Sequence, residues 1–327
     1  MRRRDVLALL AVTGAQIALP GADLSPLGCT AAVAAESGGE LHRSLWQVYA
    51  LSDSKRAVFP AVRHQLDVLV RSLDEVRSPT ERQQICTLIA DIYQLAGEVL
   101  FDAHEYTDAA HCYALAANAA QGAGNYDLWA CAMTRHAYVE LYTQRAFSAE
   151  PLLDAAFKVA QRGDSTLSTR YWVAAVQAEA YAYLGDSDSC MRALDEAERV
   201  QTLSGQIHNG GWLRFDGSRL AEERGACYLQ LGRPDLAEEA LTTALAQDLS
   251  LRRRGAVLVD LAALGIQQGD VDQALHYADA ALTLADQTHS GYIGAKLSGL
   301  RPRLATLASN DRTSDLEHRI AALAGAA

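Results

Sequence analysis

The chain has 327 residues, of which half are apolar, so it can bury a substantial core as one large domain or two ordinary ones. A formal net charge of −11 and a pI near 5.3 argue against a surface that binds nucleic acid or an anionic membrane, because both need clustered Lys and Arg. Six cysteines lie far apart without a C-x-x-C pair, which favours free thiols in a reducing compartment.

The first 40 residues differ in composition from the rest. The chain opens with MRRRDVLALLAVTGAQIALP, in which arginines precede an apolar run, and Ala32-Val33-Ala34 follows. This order of basic, apolar and small residues matches a twin-arginine export signal. Residues 21–40, rich in Gly, Ala, Ser and Pro, have the composition of a linker. We therefore divide the chain into a signal-like segment or linker, residues 1–40, and a folded domain, residues 41–327.

The folded domain is predicted to be all-α. From Leu41 onward, apolar residues recur at helical spacing, separated by short Gly, Asp, Asn or Ser stretches, and no alternating strand pattern appears. One helix start is clear, since Ser78 can cap, Pro79 takes the first helical position and Glu81 completes a capping box.

The helical segments repeat. RLAEERGACYLQLGRPDLAEEALTTALA contains Gly225, Tyr228, Gly232, Ala237, Leu241 and Ala244. Matching positions are Gly269, Ala274, Ala278 and Ala281 downstream, and Tyr181, Gly185, Cys190, Leu194, Ala197, Gly97, Ala109, Tyr113 and Ala116 upstream. Residues 126–162 fit less well, because Pro151 and Lys158 disturb the register. Small residues at this spacing allow two helices to approach closely, and glycine allows the turn between them.

These positions resemble the tetratricopeptide (TPR) repeat, and they predict a TPR-like superhelix of stacked antiparallel helix pairs. The segments 292–307 and 314–324 would form a terminal pair. The alternative fold is an irregular helical bundle.

The order of segments is similar to a narrower family. SPTERQQICTLIADIYQLAGEVLF, GWLRFDGSRLAEERGACYLQLG and RRRGAVLVDLAALGIQQGDVDQAL closely resemble the C-terminal sensor region of actinobacterial XRE-class helix-turn-helix transcriptional regulators. The likeness covers about residues 41–310 and consists of packing positions. It implies a sensor that responds to a peptide, a small molecule or a partner protein. An R-R-R-[DE]-[FV]-L stretch also resembles the linker of these regulators, which favours a cytoplasmic protein over an exported one.

The chain departs from that family pattern at its N-terminus. It begins where the linker after the helix-turn-helix domain would lie, so we do not carry DNA binding over to it. The expected output is through a partner protein, with a homodimer as one arrangement.

The sequence carries none of the common catalytic motifs. G-x-S-x-G, P-loop, G-x-G-x-x-G and H-E-x-x-H patterns are absent, so we expect no enzyme activity and no cofactor. His104, His111 and Cys112, or Cys131 with His136, lack zinc spacing, and we expect them to pack or be solvated. Glu222 and Glu223 are adjacent and would diverge on a helix, so they are not expected to act as a facing pair.

The expected binding site is the concave groove of the superhelix, which is lined by the first helix of each pair. Aromatic anchors beside Arg, Glu and Gln could hold a short peptide there. The repeat register places in this groove Gln94, Glu98, Arg135, Tyr142, Trp172, Glu179, Tyr183 and Arg219, with Phe101, Glu222 and Gln230 beside them.

One insertion, LSGQIHNGGWLRFDG, lengthens the connection before the fourth repeat and contains His208, Asn209 and Trp212. It is either a flap over the groove or a longer linker with its tryptophan packed against helices. The function predicted overall is a ligand-, peptide- or protein-binding TPR sensor or adaptor. The alternative is an exported TPR scaffold that carries a twin-arginine signal.

Overall fold

The computed structural model describes residues 44–49, 52, 55–204, 215–288, 290–304 and 311–326. All regular structure in these ranges is helical: a short helix at 44–49, two 3₁₀ turns and thirteen longer helices. The longer helices are α1 (Phe59–Glu75), α2 (Pro79–Asp102), α3 (Tyr106–Ala123), α4 (Tyr126–Tyr142), α5 (Ala146–Ala160), α6 (Thr169–Leu184), α7 (Ser187–Glu198), α8 (Leu220–Gln230), α9 (Pro234–Leu245), α10 (Leu251–Gln268), α11 (Val271–Thr288), α12 (Gly291–Leu304) and α13 (Asp311–Ala326).

From α2 onward the helices form consecutive pairs, and the first member of each pair is called its A helix here. The A helices are α2, α4, α6, α8, α10 and α12. The chain divides into two compact units: unit 1 contains residues up to Val173 together with 203–214, and unit 2 contains Ala174–Thr202 and Phe215–Ala327. The predicted all-α class with TPR-like helix pairs is confirmed.

The turn between the two helices of a pair has the same geometry in five pairs. A residue with positive φ ends the A helix: His104, Gln144, Gly185, Gly232 and Gly269. In each turn the next N–H donates back to a carbonyl in the A helix, as from Glu105 to Leu100 (2.9 Å) and from Asp270 to Gly265 (2.9 Å). This is the Schellman arrangement that closes a helix at a left-handed residue. Because Gln144 takes this role in α4–α5, the pair at 126–162 keeps the repeat despite Pro151.

Small residues on the A helices make room for large ones on their partners, as the register predicts. A Cβ added to Gly97 would lie 2.8 Å from Cδ1 and Cζ of the Tyr113 ring, and one added to Gly225 would lie 2.6 Å from Leu241 Cγ. Tyr113 and Leu241 occupy the same repeat position in α3 and α9. Each glycine is therefore needed for close packing within its helix pair.

The predicted capping of α2 is present, since the Ser78 hydroxyl accepts the Glu81 N–H (3.5 Å) and Pro79 begins the helix. By length and apolar composition alone, α2 would pass as a membrane span, but most of its apolar stretch is buried inside unit 1, as in the core helix of a folded domain. The five cysteines among the described residues are free thiols, and four of them are buried.

Several predictions concern residues outside the described ranges. These are the signal-like segment or linker at residues 1–40, Cys29, and the part of the insertion that holds His208, Asn209 and Trp212. For the N-terminal segment and the insertion, both alternatives given by the sequence therefore stay predictions.

Candidate functional site

The eight residues predicted to line the groove separate into two groups. Unit 1 holds Gln94, Glu98, Arg135, Tyr142 and Trp172, and unit 2 holds Glu179, Tyr183 and Arg219. All except Arg219, which lies directly before α8, are within A helices. Ligand binding by these side chains stays a prediction, and the surroundings of the two groups differ.

In unit 1, the centre of the predicted site is an ion pair between Arg135 on α4 and Glu98 on α2. Glu98 Oε1 also accepts a hydrogen bond from the Tyr113 hydroxyl (2.7 Å). The Arg135 guanidinium carbon lies 5.8 Å from the centroid of Trp46, 5.9 Å from that of Tyr113 and 5.8 Å from that of Trp172. These distances are within the range of cation–π attraction, so the arginine sits in a partial aromatic cage.

This part of the A-helix surface is covered rather than open. Gln94 is fully buried, and Arg135 is 5% exposed. The cover is the short helix at 44–49, in which Trp46 Nε1 donates to both carboxylate oxygens of Asp91 (3.2 Å each) and the Tyr49 hydroxyl donates to the Glu98 carbonyl (3.5 Å). The expectation of a free groove at Gln94 and Arg135 is therefore corrected, because the segment 44–49 lies on it.

Tyr142 belongs to an aromatic group at the turn end of the unit 1 A helices. Its ring centroid lies 5.1 Å from Phe101 and 5.6 Å from Tyr106. The Tyr106 hydroxyl also lies 2.7 Å from His104 Nδ1. Burial raises the pKa of Tyr106, so the phenol stays protonated near neutral pH. These contacts are those of a packed cluster, and they fix Tyr142 at the end of α4.

In unit 2, the A helices bring together what we call the unit 2 charge cluster: Glu179 on α6, Glu223 on α8, Asp260 on α10 and Lys296 on α12, with Arg219 before α8. Lys296 Nζ donates to Asp260 Oδ2 (2.7 Å). Neither Glu179 nor Glu223 has a side-chain hydrogen bond or ion pair with any described residue. Three carboxylates thus face two cations, and two of the three lack a direct partner.

The electrostatics of this cluster are strongly perturbed. Burial, with help from the charge of Glu223, raises the pKa of Glu179 to about 8. Burial likewise raises the pKa of Glu223, against the opposing effect of Arg219. Burial also raises the pKa of Tyr183, to about 12, and the charge of Glu179 adds to that effect. Near neutral pH Glu179 can therefore be either a neutral acid that donates a hydrogen bond or a carboxylate that accepts one.

Lys296 is held in its charged form. Burial alone would lower the pKa of this lysine, but the charge of Asp260 more than offsets burial and leaves the pKa raised. The Lys296 ammonium also lies 5.9 Å from the centroid of Tyr292, whose ring is 5.0 Å from the Arg252 guanidinium carbon on its neighbour helix. The cation is therefore a fixed feature of the cluster over the whole physiological pH range.

The two adjacent glutamates of α8 have different roles. Glu222 accepts from Arg253 Nε (2.9 Å), and Arg253 Nη2 donates in addition to the Ser218 carbonyl (2.9 Å). Glu223 points to the charge cluster instead, as its interactions with Glu179 and Lys296 show. Glu222 and Glu223 thus differ in their partners, and Glu223 interacts with the carboxylate of Glu179 on another helix.

Sequence reasoning missed Trp46, Tyr49 and Asp91 in unit 1, and Glu223, Asp260 and Lys296 in unit 2. For two of these residues, the position within the repeat could have indicated the site. Glu223 and Asp260 each lie nine residues before a left-handed turn residue, Gly232 or Gly269, as Arg135 does before Gln144. Charged residues at this repeat position thus face the same side of successive A helices. Trp46 and Tyr49 precede the first repeat, so the register could not place them.

The described part of the chain contains no group of three or more His, Cys, Asp or Glu residues that could hold a metal ion. Cys112 and Cys131 are fully buried, and burial raises the pKa of Cys112 far above that of a free thiol. His136 is partly buried, and burial lowers the pKa of its imidazole. Packing thus accounts for the environment of these three side chains.

Comparison with known proteins gives a likeness of fold. No family model matches the chain, and no curated protein matches it in sequence. Among solved structures it is similar to RapI, in the crystal structure of its apo form, with a TM-score of 0.56. The match covers 77% of this chain and 85% of the RapI chain at 13% sequence identity. At that identity the likeness shows the fold alone, which is that of a helical TPR-like repeat protein.

Proposed function

We propose that this protein is a non-enzymatic sensor or adaptor that binds a peptide or protein segment through the side of its A helices. The likeness to RapI supports a helical-repeat fold of the kind used for regulation and binding. In stacked helix pairs one helix of each pair lines a continuous surface, and such surfaces commonly bind extended chains.

The observation that carries the proposal is the unit 2 charge cluster. Glu179 and Glu223 lie partly buried with no partner for either carboxylate among the described residues. Groups held in this condition are typical of binding sites, where the ligand supplies the missing partners. Peptide N–H groups and side-chain amines are donors of the required kind.

The cluster is suited to recognising a peptide chain that presents both hydrogen-bond donors and hydrogen-bond acceptors. The carboxylates of Glu179 and Glu223 can accept hydrogen bonds from the ligand, while Lys296 and Arg219 can donate to its carbonyl or carboxylate groups. The Tyr183 phenol and the Tyr292 ring add apolar surface with a polar edge beside them. We propose a short peptide segment as the occupant, with a small molecule as the next candidate.

The effect of ligand binding is proposed to be transmitted through a partner protein, without direct contact to nucleic acid. A homodimer is one arrangement that would transmit it. A cytoplasmic location remains part of this proposal, as does the relation to transcriptional regulators. Ligand capture would act by shifting the population of helix-pair arrangements that the partner recognises.

The test is selection of binding peptides from a phage-displayed random heptapeptide library on the purified full-length chain. Enriched peptides are then synthesised and titrated against the wild-type chain and against the double variant Glu179→Gln/Glu223→Gln. The matched control is Glu238→Gln/Glu239→Gln, which makes the same pair of substitutions at two exposed positions of α9. We expect the cluster variant to weaken binding at least about tenfold, the loss of one or two charge-assisted hydrogen bonds, and the control to leave it unchanged.

Equal loss in the cluster variant and the α9 control would show that only net charge matters, and this would refute a site at the cluster. Failure to enrich any peptide would refute a peptide sensor. Circular dichroism of each variant checks that its helices are intact before titration.

A further inference from the structure

The segment 44–49 occupies the unit 1 A-helix surface in the manner of a bound peptide. Its buried side chains are Leu45, Trp46 and Tyr49, at 7 to 8% exposure, whereas Val48 is 53% exposed. Buried positions at this spacing define one face of a short helix. A helical segment with one apolar face laid along a surface is a recurrent mode of peptide recognition.

The two buried aromatic side chains of this segment make specific contacts with the surface. The Trp46 indole N–H donates to the Asp91 carboxylate (3.2 Å), and its ring lies 5.8 Å from the Arg135 guanidinium carbon. The Tyr49 ring meets Trp46 edge to face at 5.9 Å, and its hydroxyl reaches the Glu98 carbonyl at the limit of a hydrogen bond (3.5 Å). Two aromatic side chains thus carry the attachment, as anchor residues do at protein interfaces.

The end of the segment is fixed from outside the surface. Lys55 Nζ donates to the Tyr49 carbonyl (2.6 Å) and to the Ser52 carbonyl (2.9 Å), and it lies 5.1 Å from the Tyr49 ring centroid. These contacts cap the C-terminal end of the short helix and do not involve the α2 or α4 surface. The contacts of Lys55 with the end of the segment can therefore persist when a peptide replaces the segment on that surface.

The surface beneath the segment contains one buried amide, that of Gln94, whose hydrogen-bonding capacity is not met. Gln94 lies between Asp91 and Glu98 on one face of α2, because residues three and four apart on a helix are neighbours. Its side chain is fully buried, and neither its amide oxygen nor its amide nitrogen has a hydrogen-bond partner among the described residues. An unsatisfied buried amide costs about 1–3 kcal/mol per polar group. A ligand that supplies a donor and an acceptor at Gln94 would thus bind this surface better than the segment does.

We propose that this surface, formed by Asp91, Gln94, Glu98 and Arg135, is a second peptide-binding site. The chain's own segment 44–49 holds it closed, and the incoming partner is a peptide with a tryptophan and a tyrosine three residues apart. The indole supplies the N–H for Asp91 and the face for Arg135, and the peptide adds a polar group for Gln94. The proposal does not rest on the unit 2 charge cluster.

The test uses a fluorescently labelled synthetic peptide with the sequence of residues 41–52, LHRSLWQVYALS, titrated against full-length chains. In the variant Trp46→Ala/Tyr49→Ala the intramolecular anchors are missing, so the peptide in solution should bind. In the wild-type chain the docked segment competes at the high effective concentration of a tethered ligand. If the surface is free in a tenth of the wild-type molecules or fewer, the peptide binds the variant at least about tenfold more tightly.

The matched control is Val48→Ala, which removes apolar surface from the exposed side of the same segment and should leave the wild-type affinity unchanged. A peptide with phenylalanine in place of its tryptophan keeps the ring but lacks the N–H for Asp91, and we expect its binding to be clearly weaker.

A second receptor, Trp46→Phe/Tyr49→Phe, retains most of the buried area and keeps the test valid should the double alanine variant misfold. We expect intermediate affinity for it. Equal peptide affinity for the wild-type and anchor-less chains, or binding to neither, would overturn the proposal. Both outcomes leave peptide binding at the unit 2 cluster untouched, so failure here is distinguishable from failure of the proposed function.

Discussion

The substitution Gly265→Ala tests the close approach of the two helices in the fifth repeat. A Cβ at this position of α10 would lie 2.7 Å from the Ala274 backbone nitrogen and 3.1 Å from its Cα, and 3.2 Å from the Asp270 carbonyl oxygen. All three atoms belong to the backbone at the start of the partner helix, so no side-chain rotation relieves the clash. Separating the helices would also disturb the surrounding core, where Leu264 and Ala274 are fully buried.

The size of the effect follows from two opposing terms. Replacing a helical glycine by alanine gains about 1 kcal/mol through helix propensity. Overpacking a filled site costs about 1–3 kcal/mol, and the upper end applies when backbone must move. We therefore expect Gly265→Ala to lower the free energy of unfolding by about 1–2 kcal/mol.

The matched control is Gly299→Ala on α12, also in unit 2, where an added Cβ meets nothing within 4 Å. Here only propensity acts, and we expect a gain of about 0.5–1 kcal/mol. The assay is urea unfolding followed by circular dichroism, with both variants compared at the same transition of unit 2. A Gly265→Ala chain as stable as Gly299→Ala would refute the close helix approach on which the repeat register depends.

Three further predictions follow from the turn geometry and the charge cluster. Gln144→Gly should stabilise the chain by about 0.5–1 kcal/mol, because it relieves the left-handed conformation of an exposed side chain, whereas Gly185→Ala at the equivalent turn should cost about 1 kcal/mol. The raised pKa of Glu179, about 8 in the fold, means that the folded state holds a proton that the unfolded chain releases above pH 4.5. Stability should then fall as the pH rises from 5 to 8, and Glu179→Gln should reduce that slope; an unchanged slope in thermal unfolding scans would contradict the assignment. Lys296→Met removes the cation that pairs with Asp260 (2.7 Å) and leaves a partly buried carboxylate behind, so we expect a lower Tm at pH 8 and recovery of part of that loss at pH 5.

Much of the fold was predictable because TPR-like packing depends on local spacing. Gly185, Gly232 and Gly269 were expected at left-handed turns and are found there. The register also placed Gly97 against Tyr113, where an added Cβ would clash. It failed to show that His104 and Gln144 serve the same turns, because a left-handed conformation is uncommon for residues with a side chain.

The candidate site was predictable only in part. Helical periodicity placed Glu98, Arg135 and Glu179 on A helices, since it fixes which face of a helix a residue occupies. Periodicity carries no information about which charges meet across helices. The opposition of Glu179 and Glu223, and the Lys296–Asp260 ion pair, join residues 36 to 44 positions apart in the chain.

The sequence by itself determined the helix pairs, their turns and the small residues that let them pack, because these follow from interactions over one or two helical turns. Only the tertiary structure decided what covers the A-helix surface. Trp46 lies 45 positions from Asp91 and outside every repeat, and nothing in its local pattern predicts the contact. In unit 1, a surface that the repeat register predicts as open is covered, and the buried Gln94 amide has no partner in the described part of the chain. In unit 2, the corresponding surface carries charges that are not fully paired among the described residues. The difference arises from burial and long-range electrostatics, which depend on where distant segments come to lie.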